Sequence, residues 1–255
     1  MISPDFLFGS PKTIKAGGGI GPQLFNSVYM LVVSLIITVP IGIGAGIYLS
    51  EYAKEGPVVR FIRLSLETMS SLPSIVIGMF GLLVFVNMAG WGYSIIAGAL
   101  SVSILNIPSM TRISENAIKN ASKKVKEASL GLGASQWQTI AKVIVPIALS
   151  EILTGIILAA GRIFGEAAAF LYTAGLSTTR LRFDEISLAG KSAFSLFRPA
   201  ETLSVHIWKL NSEGIVQDAA AIADGTAAVL IIAVLLFNLL AKLIGNKLLK
   251  SYSGK

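Results

Sequence analysis

From Thr68 to Thr111 the chain runs 44 residues without a charged side chain. As one helix this run would be about 66 Å long at 1.5 Å per residue, roughly twice the ~30 Å hydrocarbon thickness of a bilayer. It has to fold back. The reversal belongs at Asn87-Met88-Ala89-Gly90-Trp91-Gly92-Tyr93. Glycines permit a tight change of direction there, and Trp91 and Tyr93 suit the membrane–water boundary. Spans are expected at 70–88 and 93–110. A second charge-free run lies between Lys15 and Glu51, and its apolar part, 24–49, is again long enough to cross. It holds Pro40 and then Gly42, Gly44 and Gly46. That series predicts a kinked helix with close neighbours, because small residues let helix backbones approach.

Composition supports the same class. Charged residues make up only 14% of the chain, against about 25% in soluble domains, and the mean hydropathy is +0.73. Two further spans are expected at 147–172 and 225–244, giving five in all. The polar connections fall on two sides. The link 51–67, the loop 111–146 and the tail from Lys242 hold thirteen basic residues, against seven in 1–20 and 173–224. The richer side is expected to be cytoplasmic, by the excess of Lys and Arg in cytoplasmic loops. The C-terminus then lies inside, and 1–23 and the segment 173–224 lie outside. No basic start followed by an apolar core marks a signal peptide, so an outward N-terminus means either that the short tail is translocated or, the expectation here, that a preceding span is missing. The chain has no cysteine and a single histidine, His206. Disulfides, thiolate chemistry and a multi-histidine metal site are excluded.

The loop 112–146 is the longest polar interruption among the first four spans. Lys124 to Leu132 predict a short helix stopping at Gly131 or Gly133, residues suited to a helix C-terminus. A second helix begins at Ser135, which with Gln138 forms a capping box. Ile140, Val143 and Ile144 follow at helical spacing. Pro146 then sits near the start of the next membrane helix, where proline is tolerated. The loop thus reads as helix, glycine turn, helix, membrane.

Within the span 147–172, Arg162 and Glu166 are four residues apart and are expected to share a helix face. A lone charge at mid-bilayer costs about 2.5–3.5 kcal/mol on insertion scales. The two therefore either pair to anchor the helix or face a path, where Arg162 meets an anion and Glu166 is its exchangeable counter-ion. Physics leaves both open. Glu151, near the edge of that span, needs only snorkelling or a contact to the loop. His206 and Trp208 are expected to pack at the interface rather than bind a ligand. The segment Ser192–Phe197 is too short to span, and Gly190-Lys191-Ser192 is a poor P-loop, since Glu185 stands where glycine is required.

The spacing of Glu127-Ala128, Gly133, Val143, Val145 and Pro146 resembles the Glu-Ala-Ala motif of ABC importer permeases, with Ser129 in place of the second alanine. The stretches GGGIGP (17–22), IYLSEYA (47–53), LPSIVIGMFGL (72–82), ILTGIILAAGRIFGEAAAFLYTAG (152–175), LSVHIWKL (203–210) and NLLAKLIGNKL (238–248) are similar to PstA-type permeases of phosphate importers. The resemblance implies an all-α membrane protein of the MetI-like ABC importer transmembrane class, with its permease domain over 24–250. It implies that Glu127, Ala128, Gly133 and Pro146 belong to the contact with a separate ATPase, and that Arg162 and Glu166 line the anion path. It further implies a second, PstC-like permease subunit, a PstB-like ATPase dimer that binds ATP and Mg, and an external PstS-like phosphate-binding protein. The chain itself then carries no cofactor and no covalent chemistry. Rival readings are a permease for sulfate or molybdate, a stand-alone carrier or channel, and a non-transporting membrane scaffold.

Overall fold

A computed structural model of the chain describes residues 3–12, 17–177, 181–184, 187, 192–213 and 218–252. Gly190, Lys191 and Glu185 of the P-loop-like stretch lie outside them. Regular structure among the described residues is helical, apart from an isolated bridge between Arg182 and Ser192. The helices are α1 (Pro4–Phe8), α2 (Gly21–Ile47), α3 (Pro57–Ser71), α4 (Ser74–Gly81), α5 (Ile95–Gly131), α6 (Gln136–Thr139), α7 (Val145–Gly165), α8 (Ala168–Thr173), α9 (Leu203–Glu213) and α10 (Ala219–Tyr252). Three π-helical turns, Tyr48–Tyr52, Leu82–Met88 and Ile140–Ile144, extend α2, extend α4 and join α6 to α7. Four stretches are long and apolar enough to cross a membrane: Gly21–Tyr52, Ile95–Lys123, Gln136–Gly165 and Ala219–Gly245. The pair formed by α3 and Ser74–Met88 makes a fifth if counted as one span. The reversal in the long charge-free run falls after Met88, where Gly90 and Gly92 take φ of +70 and +66.

The chain forms two compact units. The first comprises 1–34, 72–104 and 161–235. Its interior holds Met30, Leu31, Ile95, Ile163, Phe170 and Leu203. The Ser192–Phe197 segment tucks in against α2, with Phe194 edge-on to Phe25 and Tyr29 and the Tyr29 hydroxyl donating to the Phe194 carbonyl at 2.7 Å. The second unit comprises 35–71, 105–160 and 236–255. Here Ala117, Ile118 and Ala121 of α5 pack with Ile140, Ile144, Ala148 and Ile152. Gly42 and Gly46 of α2 lie against Met110 and Ser114, so close that an added Cβ would come within 2.5 Å of either side chain. The small-residue series is a contact face.

One expectation about the loop is corrected. There is no separate helix over Lys124–Leu132, because α5 continues unbroken from Ile95 to Gly131. Ala117, Ile118 and Ala121 of α5 are buried in the second unit's core, with Val125 packed against it. Pro146 is the second residue of α7, near the helix start as expected, although the turns before it are helical too. Gln136–Gly165 is one helical stretch, and proline inside it removes a backbone donor. The π turn just before it accommodates the disruption by shifting the hydrogen-bond register, with the Val145 amide bonded to the Ile140 carbonyl.

Candidate functional site

The elbow between α5 and α6 is built by local chemistry. Gly133 has φ +87, a left-handed conformation in which a residue with a Cβ is strained. The turn is closed by the Leu132 amide to the Ala128 carbonyl (3.1 Å), Gly133 to Leu130 (2.9 Å) and Ala134 to Ser129 (3.2 Å). Beyond it the Ser135 hydroxyl accepts from the Gln138 amide while the Gln138 side chain accepts from the Ser135 amide, the reciprocal capping box read from the sequence. Ser129 and Thr139 hydroxyls meet at 2.9 Å and tie the two arms together. Glu127, Ala128 and Gly133 are exposed, and Pro146, on the following helix, is half-buried. Leu132 and Trp137, at 89% and 67% exposure, give the elbow an apolar tip.

Sequence reasoning missed what holds the elbow's base. The Glu51 carboxylate, with 2% of its side chain exposed, pairs with Lys126 at 2.7 Å. The Glu51 carbonyl accepts from the Gln136 side chain at 3.0 Å. One residue on the π turn after α2 therefore grips both arms of the elbow. The clue was a charge placed directly at the end of an apolar span, within IYLSEYA. Nearby, the Asn120 side chain reaches Glu151 at 3.5 Å, the contact to the loop offered above as one reading of that residue.

The first unit carries the second candidate. Arg162 lies in the last turn of α7 and is exposed. Glu166 lies just past the helix, which ends at Gly165, so the expected pairing along one helix is not kept. Local hydrogen bonds hold the chain in its non-helical course. The Glu166 carboxylate accepts from the Ala169 amide at 3.1 Å, and its carbonyl accepts from the Ser204 hydroxyl. The span thus breaks between α7 and α8 rather than running on to 172. Irregular backbone at membrane depth is tolerated where it is buried in protein or lines a cavity.

A buried polar cluster beside α9 was also missed. The Arg198 guanidinium, in the connection between α8 and α9, donates to Asn26 (2.8 Å) and to the carbonyls of Ala193 (2.9 Å) and Pro199 (3.1 Å). Burial pushes it down to about 10. Glu201 accepts from Gln23 at 3.0 Å and lies 3.0 Å from His206 Nδ1. His206 is buried in this cluster, which corrects the interfacial placement, while Trp208 remains partly exposed. The cluster borders a cavity of about 240 Å³ that Lys209 also lines. Uncharged Gln23 and Asn26 inside a charge-free run gave little signal, and their partners are more than 170 residues away in sequence. Among the described residues no three His, Cys, Asp or Glu side chains converge on a metal-sized site.

Residues 38–253 match the family model described as binding-protein-dependent transport system inner membrane component. The chain is 53% identical over its full length to the probable ABC transporter permease protein YqgI of Bacillus subtilis (strain 168), covering 87% of that protein. It is 31% identical to the phosphate transport system permease protein PstA of Yersinia pestis, over 93% of this chain and 76% of the other. Among solved structures, an inward-facing MetNI methionine ABC transporter chain shares the fold with a TM-score of 0.67 at 18% identity, over 89% of this chain and 93% of that one.

Proposed function

The chain belongs to the family of binding-protein-dependent transport system inner membrane components, and from that premise we propose that it is the permease subunit of a phosphate importer. Membership makes it a multi-pass membrane subunit of an ABC importer, and implies an ATPase and a substrate-binding protein as partners. The finer assignments are our own. The partners are a PstC-like permease, a PstB-like ATPase pair that binds ATP and Mg, and a PstS-like phosphate-binding protein. This chain supplies half of the translocation path and no covalent chemistry. The elbow at 131–136 and the tail lie on the cytoplasmic side of the cell membrane, and the ATPase groove receives Leu132 and Trp137 beside Glu127, Ala128 and Gly133.

The observation that carries the cargo is the match of a phosphate permease to 93% of the chain. The local chemistry agrees with it. Arg162 offers a cation at a helix break, and a path must hold its cargo weakly enough to release it. A single arginine suits passing contact, with high affinity left to the external binding protein.

The test is ATP hydrolysis by the reconstituted complex, stimulated by its binding protein loaded with phosphate, sulfate or molybdate. Phosphate alone is expected to stimulate. Stimulation by sulfate or molybdate instead would transfer the cargo to that oxyanion. For the path, Arg162→Ala is expected to abolish uptake while the complex still co-purifies intact. Normal uptake by an assembled Arg162→Ala complex removes Arg162 from the path.

A further inference from the structure

Helix α3 is amphipathic, and one side of it is left exposed by the described residues. The other side is clamped to the second unit. Arg63 pairs with Glu55 at 2.8 Å and with Glu115 of α5 at 2.7 Å, Arg112 of α5 approaches Glu67 at 3.8 Å, and Val59 is buried. These contacts fix the rotation of the helix. The opposite side presents Val58, Phe61 and Leu64, all 61% exposed or more, with Ser65 and Thr68 among them at helical spacing. Both hydroxyls on this side are spent inside the helix. Ser65 donates to the Phe61 carbonyl and Thr68 to the Leu64 carbonyl, each at 2.9 Å. The face therefore offers few free donors to a protein surface and is chemically close to an apolar stripe.

What covers that stripe follows from chain continuity and charge. Before α3 the membrane-length stretch Gly21–Tyr52 ends. After it, Leu72 and Pro73 lead directly into α4. α3 thus follows a membrane-length stretch and leads into the apolar Ser74–Met88, with which it forms a bent pair. At 15 residues it is about 22 Å long, short of the ~20 residues a crossing needs, and it carries Arg60, Arg63 and Glu67. The excess of basic residues in 51–67 and 111–146 puts it on the same face as the elbow. Lys54 and Arg60 are exposed at its N-terminal end, and cations there match anionic headgroups.

We propose that α3 is an interfacial anchor lying in the plane of the membrane, with Val58, Phe61 and Leu64 in the upper acyl layer and Arg60 and Lys54 at anionic headgroups. The interaction partner is the lipid surface itself. The proposal is independent of the cargo, since it rests on membrane attachment and the second unit alone.

The absence of native cysteine makes the test clean. Phe61→Cys, Leu64→Cys and, as a control, Leu132→Cys are labelled separately with an environment-sensitive fluorophore. The assembled complex is then placed in bilayer discs of phosphatidylethanolamine and phosphatidylglycerol. A nitroxide high on the lipid acyl chain is expected to quench the labels at 61 and 64 several-fold. A nitroxide near the bilayer centre should quench them much less, matching the ~5–10 Å depth of an interfacial helix. The label at 132 should respond to neither. Blue-shifted emission at 61 and 64 that no lipid nitroxide quenches means that a protein subunit covers the stripe. Water-like emission quenched by iodide means that the face is solvated. Either result overturns the anchor.

Discussion

Glu51 brings a carboxylate into the second unit, and Lys126 meets it there across 75 residues of sequence. Removing one partner of a buried pair leaves an uncompensated charge and costs about 3–5 kcal/mol. Lys126 is a third exposed, so Lys126→Met should cost about 3 kcal/mol, the low end of that range. Lys126→Arg should recover most of it. Thermal unfolding of the purified complex checks both, and a midpoint unchanged in Lys126→Met makes the pair ornamental. Residues of this kind mark where the sequence stops being readable. Glu127, Gly133 and Pro146 could be picked out by spacing because their relation is local. Arg198, Glu201 and Asn26 could not, because each is polar for the sake of a partner that only the folded chain supplies. Arg162 and Glu166 were legible as charges in an apolar span, but their relation was not. It depended on whether the helix survived past Gly165, and the Ala169 amide and the Ser204 hydroxyl decide that.

At the scale of the element, the elbow depends on one backbone conformation. An added Cβ at Gly133 would meet nothing within 4 Å, so substitution there is penalised through φ alone. A left-handed residue with a Cβ costs roughly 1–2 kcal/mol, and a β-branched one is the worst choice. Gly133→Val is therefore expected to redirect the elbow and reduce the ATPase recovered with the chain, with little loss of stability elsewhere. Gly133→Asn, which tolerates this conformation better, should recover more. Pull-down stoichiometry across the two variants reads the effect, and equal recovery with Val would show that the turn does not position the contact. The capping box at Ser135 was legible because it is a three-residue relation between side chain and backbone. The unbroken run of α5 through Gly131 was not. Lysine-rich turns looked like a separate cytoplasmic helix, whereas Ala117, Ile118, Ala121 and Val125 hold α5 against the π turn Ile140–Ile144 and α7.

For the whole molecule, the sidedness proposed from the basic residues can be checked in intact cells. Met88, the last residue of the span expected at 70–88, and Trp137, in the loop before the span expected at 147–172, are well exposed. Met88→Cys should react with a membrane-impermeant maleimide added outside, and Trp137→Cys only after the cells are opened. Reversed labelling would invert the orientation and place the elbow where no ATPase could reach it. The fold class and the four stretches that can each cross a membrane, with a fifth if the bent pair is counted, were legible because a bilayer penalises charge so heavily that charge-free runs announce themselves. The division into two units was not, since α2, α5, α7 and α10 each contribute to both. The Glu51–Lys126 pair also sets an order in time. Glu51 leaves the ribosome 75 residues ahead of its partner, which at about 5–20 residues per second is roughly 4–15 s of synthesis. Through that interval the first long helix has no cation from α5 to match its terminal carboxylate, and the turn Tyr48–Tyr52 has no reason to leave the water boundary. Its burial is a late event of biogenesis, completed when α5 delivers Lys126, so that the end of α2 is seated only after α5 has been made.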